Sequence, residues 1–91
     1  MNVRQSPIFS RAFKKLHKNQ RNAVRTEVQK IIENPKIGVQ KKQDLSDIFV
    51  HKFKIDTQLF LLAYTFAPET LDLIMLGVHE NFYRDLKTYI K

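Results

Sequence analysis

Ile48-Phe49-Val50-His51-Lys52-Phe53-Lys54-Ile55 puts Phe49, His51, Phe53 and Ile55 at one parity and Ile48, Val50, Lys52 and Lys54 at the other. Successive side chains of a strand point to opposite faces, so this two-residue period in a β-branched and aromatic run predicts a strand. Asp56-Thr57-Gln58 then reads as a turn, and Leu59 to Phe66 is almost wholly apolar. Such a run is expected of a central strand covered on both faces. Ala67-Pro68-Glu69-Thr70 supplies a second turn and Leu71 to Val78 a third strand. Three consecutive strands with tight turns form an antiparallel meander.

Upstream, the apolar period lengthens from 2 to 3.6. Ser6-Pro7 has the signature of a helix start, with a serine cap and proline at the first helical position. Phe9, Ala12, Phe13 and Leu16 follow at i, i+3, i+4 and i+7, one face of a helix. A break at Lys18-Asn19, with Asn19 as the expected cap, opens a second helix striped by Val24, Val28, Ile31 and Ile32. Asn34-Pro35 ends it, because a residue before proline is pushed out of the helical region. The pair reads as a helical hairpin. Lys36 to Asp47 reads as a polar connection, and Val3 as part of a brief strand. From about Asn81 to Ile90, Phe82, Leu86, Tyr89 and Ile90 recur at helical spacing. The expected order is (β)ααβββα, an α+β domain in which a small antiparallel meander is packed on one side by the hairpin and the C-terminal helix.

The 91 residues form one expected domain, 1–91, with a hydrophobic fraction of 43% that suits a soluble protein. The absence of cysteine favours a reducing compartment. The N-terminal MNVRQSPIFS has no apolar stretch of the kind a secretory signal needs. Apolar runs such as Leu59 to Ala63 fall far short of the ~20 residues that span a bilayer. A cytoplasmic protein without membrane attachment is expected. Charge is unevenly spread: residues 1–43 carry eleven Lys/Arg and two acids (+9), residues 44–91 five and seven (−2), together the net +7. Such a field draws polyanions such as nucleic acid.

The chemistry-bearing residues are few. Lys52 and Lys54 project from one strand face, roughly 6–7 Å apart. They are either a solvated face or a phosphate cradle. His79 follows the third strand, where a side chain with an ordinary pKa near ~6.5 could exchange protons at neutral pH. Tyr83 lies four positions on, and Arg84 beside it could hold phosphate bidentately. His17 and His51 read as ordinary surface or core residues. The three histidines lack metal-ligand spacing, Gly38 and Gly77 are isolated, and no carboxylates are paired. A helix-turn-helix over residues 7–34 would leave the meander without a role.

Taken in order, the basic hairpin, Val50-His51-Lys52-Phe53-Lys54, Leu61-Leu62-Ala63-Tyr64, and Gly77-x-His79 before an aromatic helix resemble the RelE/ParE superfamily of type II toxin–antitoxin toxins. The stretch His79-Glu80-Asn81-Phe82-Tyr83-Arg84-Asp85-Leu86 looks like the ending of a ParE-like subgroup, and Gly-x-His resembles the YafQ-type ribonucleases. The likeness spans nearly the whole chain. It implies a small sheet cupped by helices, a cognate antitoxin as partner, and one of two targets. RelE-like members cut messenger RNA in the ribosomal A site without metal or cofactor, whereas ParE-like members poison DNA gyrase without catalysis.

Carried over by position, the resemblance makes Lys52 and Lys54 the paired strand lysines and His79 the acid. Tyr83 becomes the residue that stacks on or orients a base, with Arg84 on phosphate. Arg11, Lys14, Lys15, Lys18, Arg21 and Arg25 would grip ribosomal RNA. The chain departs from the pattern at Phe60 and Leu61, where an arginine is expected, and at His79-Glu80-Asn81, which replace an arginine cluster. The leading expectation is a ribosome-dependent mRNA endoribonuclease. The alternatives are a gyrase inhibitor or a basic nucleic-acid-binding module.

Overall fold

The computed structural model describes residues 1–41, 47–78 and 80–90, residue 90 by its backbone alone. In chain order it comprises β1 (Asn2–Gln5), α1 (Pro7–Lys14), α2 (Lys18–Glu33), a 3-10 turn (Pro35–Ile37), β2 (Val39–Gln40), β3 (Phe49–Ile55), β4 (Gln58–Ala67), β5 (Thr70–Val78) and α3 (Phe82–Ile90). The expected α+β class holds. The β3-β4-β5 meander is antiparallel with close turns: Ile55 pairs with Gln58 around Asp56-Thr57, and Ala67 with Thr70 around Pro68-Glu69. Asp56 has φ of 55°, a left-handed value that aspartate tolerates better than most residues and that a tight hairpin requires.

The sheet is wider than the meander. Its order is β1-β5-β4-β3-β2. β1, the brief strand containing Val3, lies parallel to β5 (Val3 opposite Leu71), while β2 adds antiparallel to β3. β2 lies within the residues read as a plain connection. Two exposed residues, Val39 and Gln40, carry no periodic signal, so only their pairing with Val50 and Phe49 defines the strand.

Helices cover both faces rather than one. On the first face, Phe9 of α1 and Val24 and Ile31 of α2 bury themselves against Phe53, Ile55, Phe60, Leu62, Tyr64, Leu71, Leu73 and Leu76. On the second, Phe82 and Leu86 of α3 close over Ile48, Val50, Leu61, Ala63 and Met75. The cause lies in β4, where Leu61, Leu62, Ala63 and Tyr64 are all fully buried. A strand apolar at both parities needs a cover on each side.

The start of α2 also differs from expectation. Its cap is His17, not Asn19, and the Gln20 side chain accepts a hydrogen bond from the His17 N–H at 2.9 Å. That satisfies a donor at the helix entrance. Ser6 caps α1 as expected, its Oγ accepting from Phe9 N at 3.0 Å and donating to the carbonyl of Ile74. Ile74 is the extra residue of a β-bulge, since Ala63 pairs with Met75 but Tyr64 with Leu73. The bulge reverses the parity of β5: Leu71 and Leu73 face the hairpin, and beyond it so does Leu76. Gly77 is thereby carried to the α3 face, opposite Leu61.

Candidate nucleic-acid interface

The α3 face of β3 alternates from core to solvent along its length. Val50 is buried beneath α3, and the next two residues of that parity, Lys52 and Lys54, are exposed. Lys52 stands opposite Leu61 and Lys54 opposite Leu59. Among the described residues no carboxylate forms an ion pair with either lysine. Two like charges roughly 6–7 Å apart on one strand face repel each other and favour an anion between them.

Asn81, at φ of 67°, turns the chain into α3, and its carbonyl accepts the Asp85 N–H at 3.0 Å. Left-handed backbone suits asparagine. Phe82 and Leu86 seat the helix, at 3% and 0% exposure. Tyr83 is half-buried, packs on the same cluster, and meets Phe82 edge-on with ring centres 5.6 Å apart. Lys41 was absent from the expected site. It follows β2, its N–H bonded to the Ile48 carbonyl at 2.8 Å, and its Nζ stands 4.9 Å from the Tyr83 ring centre. That is cation–π distance. No periodicity marks Lys41, because the pairing of β2 alone brings it here.

The other expected residues divide. Lys52, Lys54 and Tyr83 share the α3 face. Arg84, two positions from Phe82 and so roughly 200° around the helix, is exposed and lies 3.7 Å from Asp85. His79 lies outside the described residues. Arg11, Lys14, Lys15 and Lys18 are exposed on the hairpin, across the sheet from the paired lysines. Arg21 donates to the Leu16 carbonyl, and Arg25 lies 5.2 Å over the Phe13 ring, so both hold the hairpin together. The hairpin cations and the paired lysines form two separate basic surfaces.

His51 keeps an ordinary structural part. Its Nε2 lies 2.7 Å from Glu27 Oε1, tying β3 to α2. Burial would raise the Glu27 pKa, but hydrogen bonds from His51 and Lys30 outweigh it and hold the carboxyl below its usual range. The positions where an arginine was expected, Phe60 and Leu61, are 5% and 0% exposed and belong to the two cores. Gly77 is not demanded by packing, since a Cβ there would sit 3.5 Å from Phe82, an ordinary contact. Beside α3, a groove of about 500 Å³ is bordered by Met75, Phe82, Tyr89, Glu80 and Asp85. Its charged rim is acidic, so the basic surface lies elsewhere. Among the described residues no three His, Asp or Glu side chains cluster as a metal site, and no helix is long and apolar enough to cross a membrane.

A mixed five-stranded sheet, a helical hairpin on one face, and paired lysines beside a short aromatic helix on the other define a RelE-like fold. Escherichia coli RelE carrying two arginine-to-alanine substitutions, in the free state, superposes with a TM-score of 0.73 at 18% identity, over 98% of this chain and 94% of that one. RelE in the intact E. coli RelBE toxin–antitoxin complex gives 0.69 at 20% identity, over 87% and 96%. The isolated E. coli RelE toxin gives 0.66 at 18% identity, over 99% and 98%. These likenesses establish the fold. No curated protein sequence matches the chain. Residues 3–87 match the ParE-like toxins of type II bacterial toxin–antitoxin systems, and the chain belongs to that family.

Proposed function

We propose that this toxin is a metal-independent, ribosome-dependent mRNA endoribonuclease held inactive by a cognate antitoxin. The observation that carries the reading is the placement of Lys52 and Lys54, exposed and without ion-pair partners among the described residues, on the sheet face that Tyr83 borders. The 2′-oxygen attacks the adjacent phosphorus while the bond from phosphorus to the 5′-oxygen breaks, leaving a 2′,3′-cyclic phosphate and a 5′-hydroxyl. One strand lysine, in its neutral form, takes the 2′ proton, and its neighbour's ammonium offsets charge on the phosphorane. His79 gives a proton to the leaving oxygen, Tyr83 orients a base, and Arg84 holds an outer phosphate. The exposed hairpin cations Arg11, Lys14, Lys15 and Lys18 grip ribosomal RNA, with Arg21 and Arg25 beside them. The E. coli complex of RelE with its antitoxin supports an antitoxin partner here.

A second reading is favoured by a specific observation. Phe60 and Leu61 are core residues where the ribonuclease pattern expects an arginine, and the matching family is described as ParE-like. That reading is gyrase poisoning without catalysis. Expression separates the two. Growth arrest with transcripts cut to 5′-hydroxyl ends, abolished in the Lys52→Ala/Lys54→Ala and His79→Ala variants, supports the nuclease. Arrest with DNA breaks that persists in those variants supports the gyrase inhibitor. Arrest in no form would leave the nucleic-acid-binding module.

A further inference from the structure

Lys41 shares the face of the paired lysines. β2 runs antiparallel to β3 with Val39 opposite Val50 and Gln40 opposite Phe49, and the Lys41 N–H continues the ladder to the Ile48 carbonyl. Ile48 belongs to the core beneath α3. Residues opposite one another in a ladder share a face, so Lys41 projects on the α3 side. It sits about 13 Å before Lys52 and about 20 Å before Lys54 along the strand direction, from the ~3.3 Å rise per residue. Among the described residues no carboxylate pairs with it. Its ammonium rests on the Tyr83 ring at 4.9 Å. An aromatic face holds a cation in place without neutralising its charge, and an ammonium has three donors of which the ring engages one side.

We propose that Lys41 is a further RNA-binding residue, whose ammonium takes a phosphate of the strand whose base lies at Tyr83. The α3 face then presents a row of three lysines, with the aromatic ring against the first. The 3-10 turn and β2 hold this residue in place, and Tyr64 pins that turn through the Pro35 carbonyl and the Gly38 N–H. The inference rests on the reading that this face engages RNA.

The test uses the full chain and a short fluorescent single-stranded RNA with 2′-O-methyl sugars, so that no 2′-oxygen can attack. Binding is followed by anisotropy across a series of salt concentrations. Lys41→Met keeps the apolar stem that packs on Tyr83 but removes the charge. It is expected to bind several-fold more weakly at low salt and to flatten the log K against log salt slope by about 0.7, one single-strand phosphate contact. Lys41→Arg is expected to retain both, as is Lys36→Met, which alters an exposed lysine in the 3-10 turn. Thermal melting of Lys41→Met should match the parent. An unchanged slope in Lys41→Met while Lys52→Met flattens it overturns the assignment of Lys41 and leaves the face as an RNA site. Unchanged binding in both Lys41→Met and Lys52→Met, or no binding by the parent chain, overturns the reading of this face as an RNA site and the assignment of Lys41 with it.

Discussion

Gly38 donates its backbone N–H to the Tyr64 hydroxyl at 3.0 Å, and the same hydroxyl donates to the Pro35 carbonyl at 2.6 Å. One fully buried side chain on the central strand thus pins both ends of the 3-10 turn that leads into β2. Burial holds its phenol above the ordinary tyrosine range, partly offset by the Gly38 hydrogen bond, so it stays a neutral donor at physiological pH. The fit is close: a Cβ on Gly38 would lie 2.7 Å from the Tyr64 oxygen and 3.1 Å from the Val50 carbonyl carbon.

Tyr64→Phe should therefore cost about 1–3 kcal/mol, because it removes two part-buried hydrogen bonds at about 0.5–1.5 kcal/mol each. Gly38→Ala should cost a similar amount through steric displacement of the phenol. Urea unfolding of both variants measures this, and the pair should be less than additive because they break the same contact.

Ser6 links the cap of α1 to the bulge in β5, accepting from Phe9 N and donating to the Ile74 carbonyl. Ser6→Ala should lose about 1–2 kcal/mol, at or above the typical cost of a lost cap. Ser6→Thr keeps the hydroxyl and should recover most of it. Thermal melts of the two variants give the comparison.

The two cores predict separable losses. Leu86→Ala removes a fully buried side chain from the α3 core, which among the described residues shares none with the hairpin core. About 2–5 kcal/mol should be lost. Amide exchange should accelerate first around α3 and Tyr83, with α1 and α2 retaining protection. Uniform loss of protection would show that the two cores unfold as one.

Glu27 gives a pH signature. Its folded-state pKa is depressed, so the stability it contributes is fully present above its unfolded value of about 4.3 and is lost as pH falls through the depressed one. Glu27→Gln should destabilise at neutral pH, and its deficit against the parent should shrink on acidification. The Asp72 carboxyl, lowered by its hydrogen bond to Arg4, titrates in the same sense, so the variant keeps a residual acid limb. Urea midpoints at neutral and acid pH read both effects.

Much of this was written in local sequence. The 3.6-residue stripes of Phe9, Phe13, Val24 and Ile31 and the two-residue period of residues 48–55 specify element type, because each period projects apolar groups to one side of only one backbone geometry. Lys52 and Lys54 were legible as a pair for the same reason. The departure at Phe60 and Leu61 was legible too, though not that both positions are core. Lys41 could not be found this way, nor could β2, since two exposed residues have no period to read.

By itself, the sequence determined the helical hairpin, the meander, the final helix and the exposed face of Lys52 and Lys54, all set by the spacing of near neighbours. Only the tertiary structure decided that helices cover both faces, that β1 joins in parallel, that the bulge at Ile74 turns Gly77 toward α3, and that Lys41 rests on Tyr83. Those features depend on pairing between segments far apart in the chain. A register is chosen by which buried faces match, and no single segment carries that information.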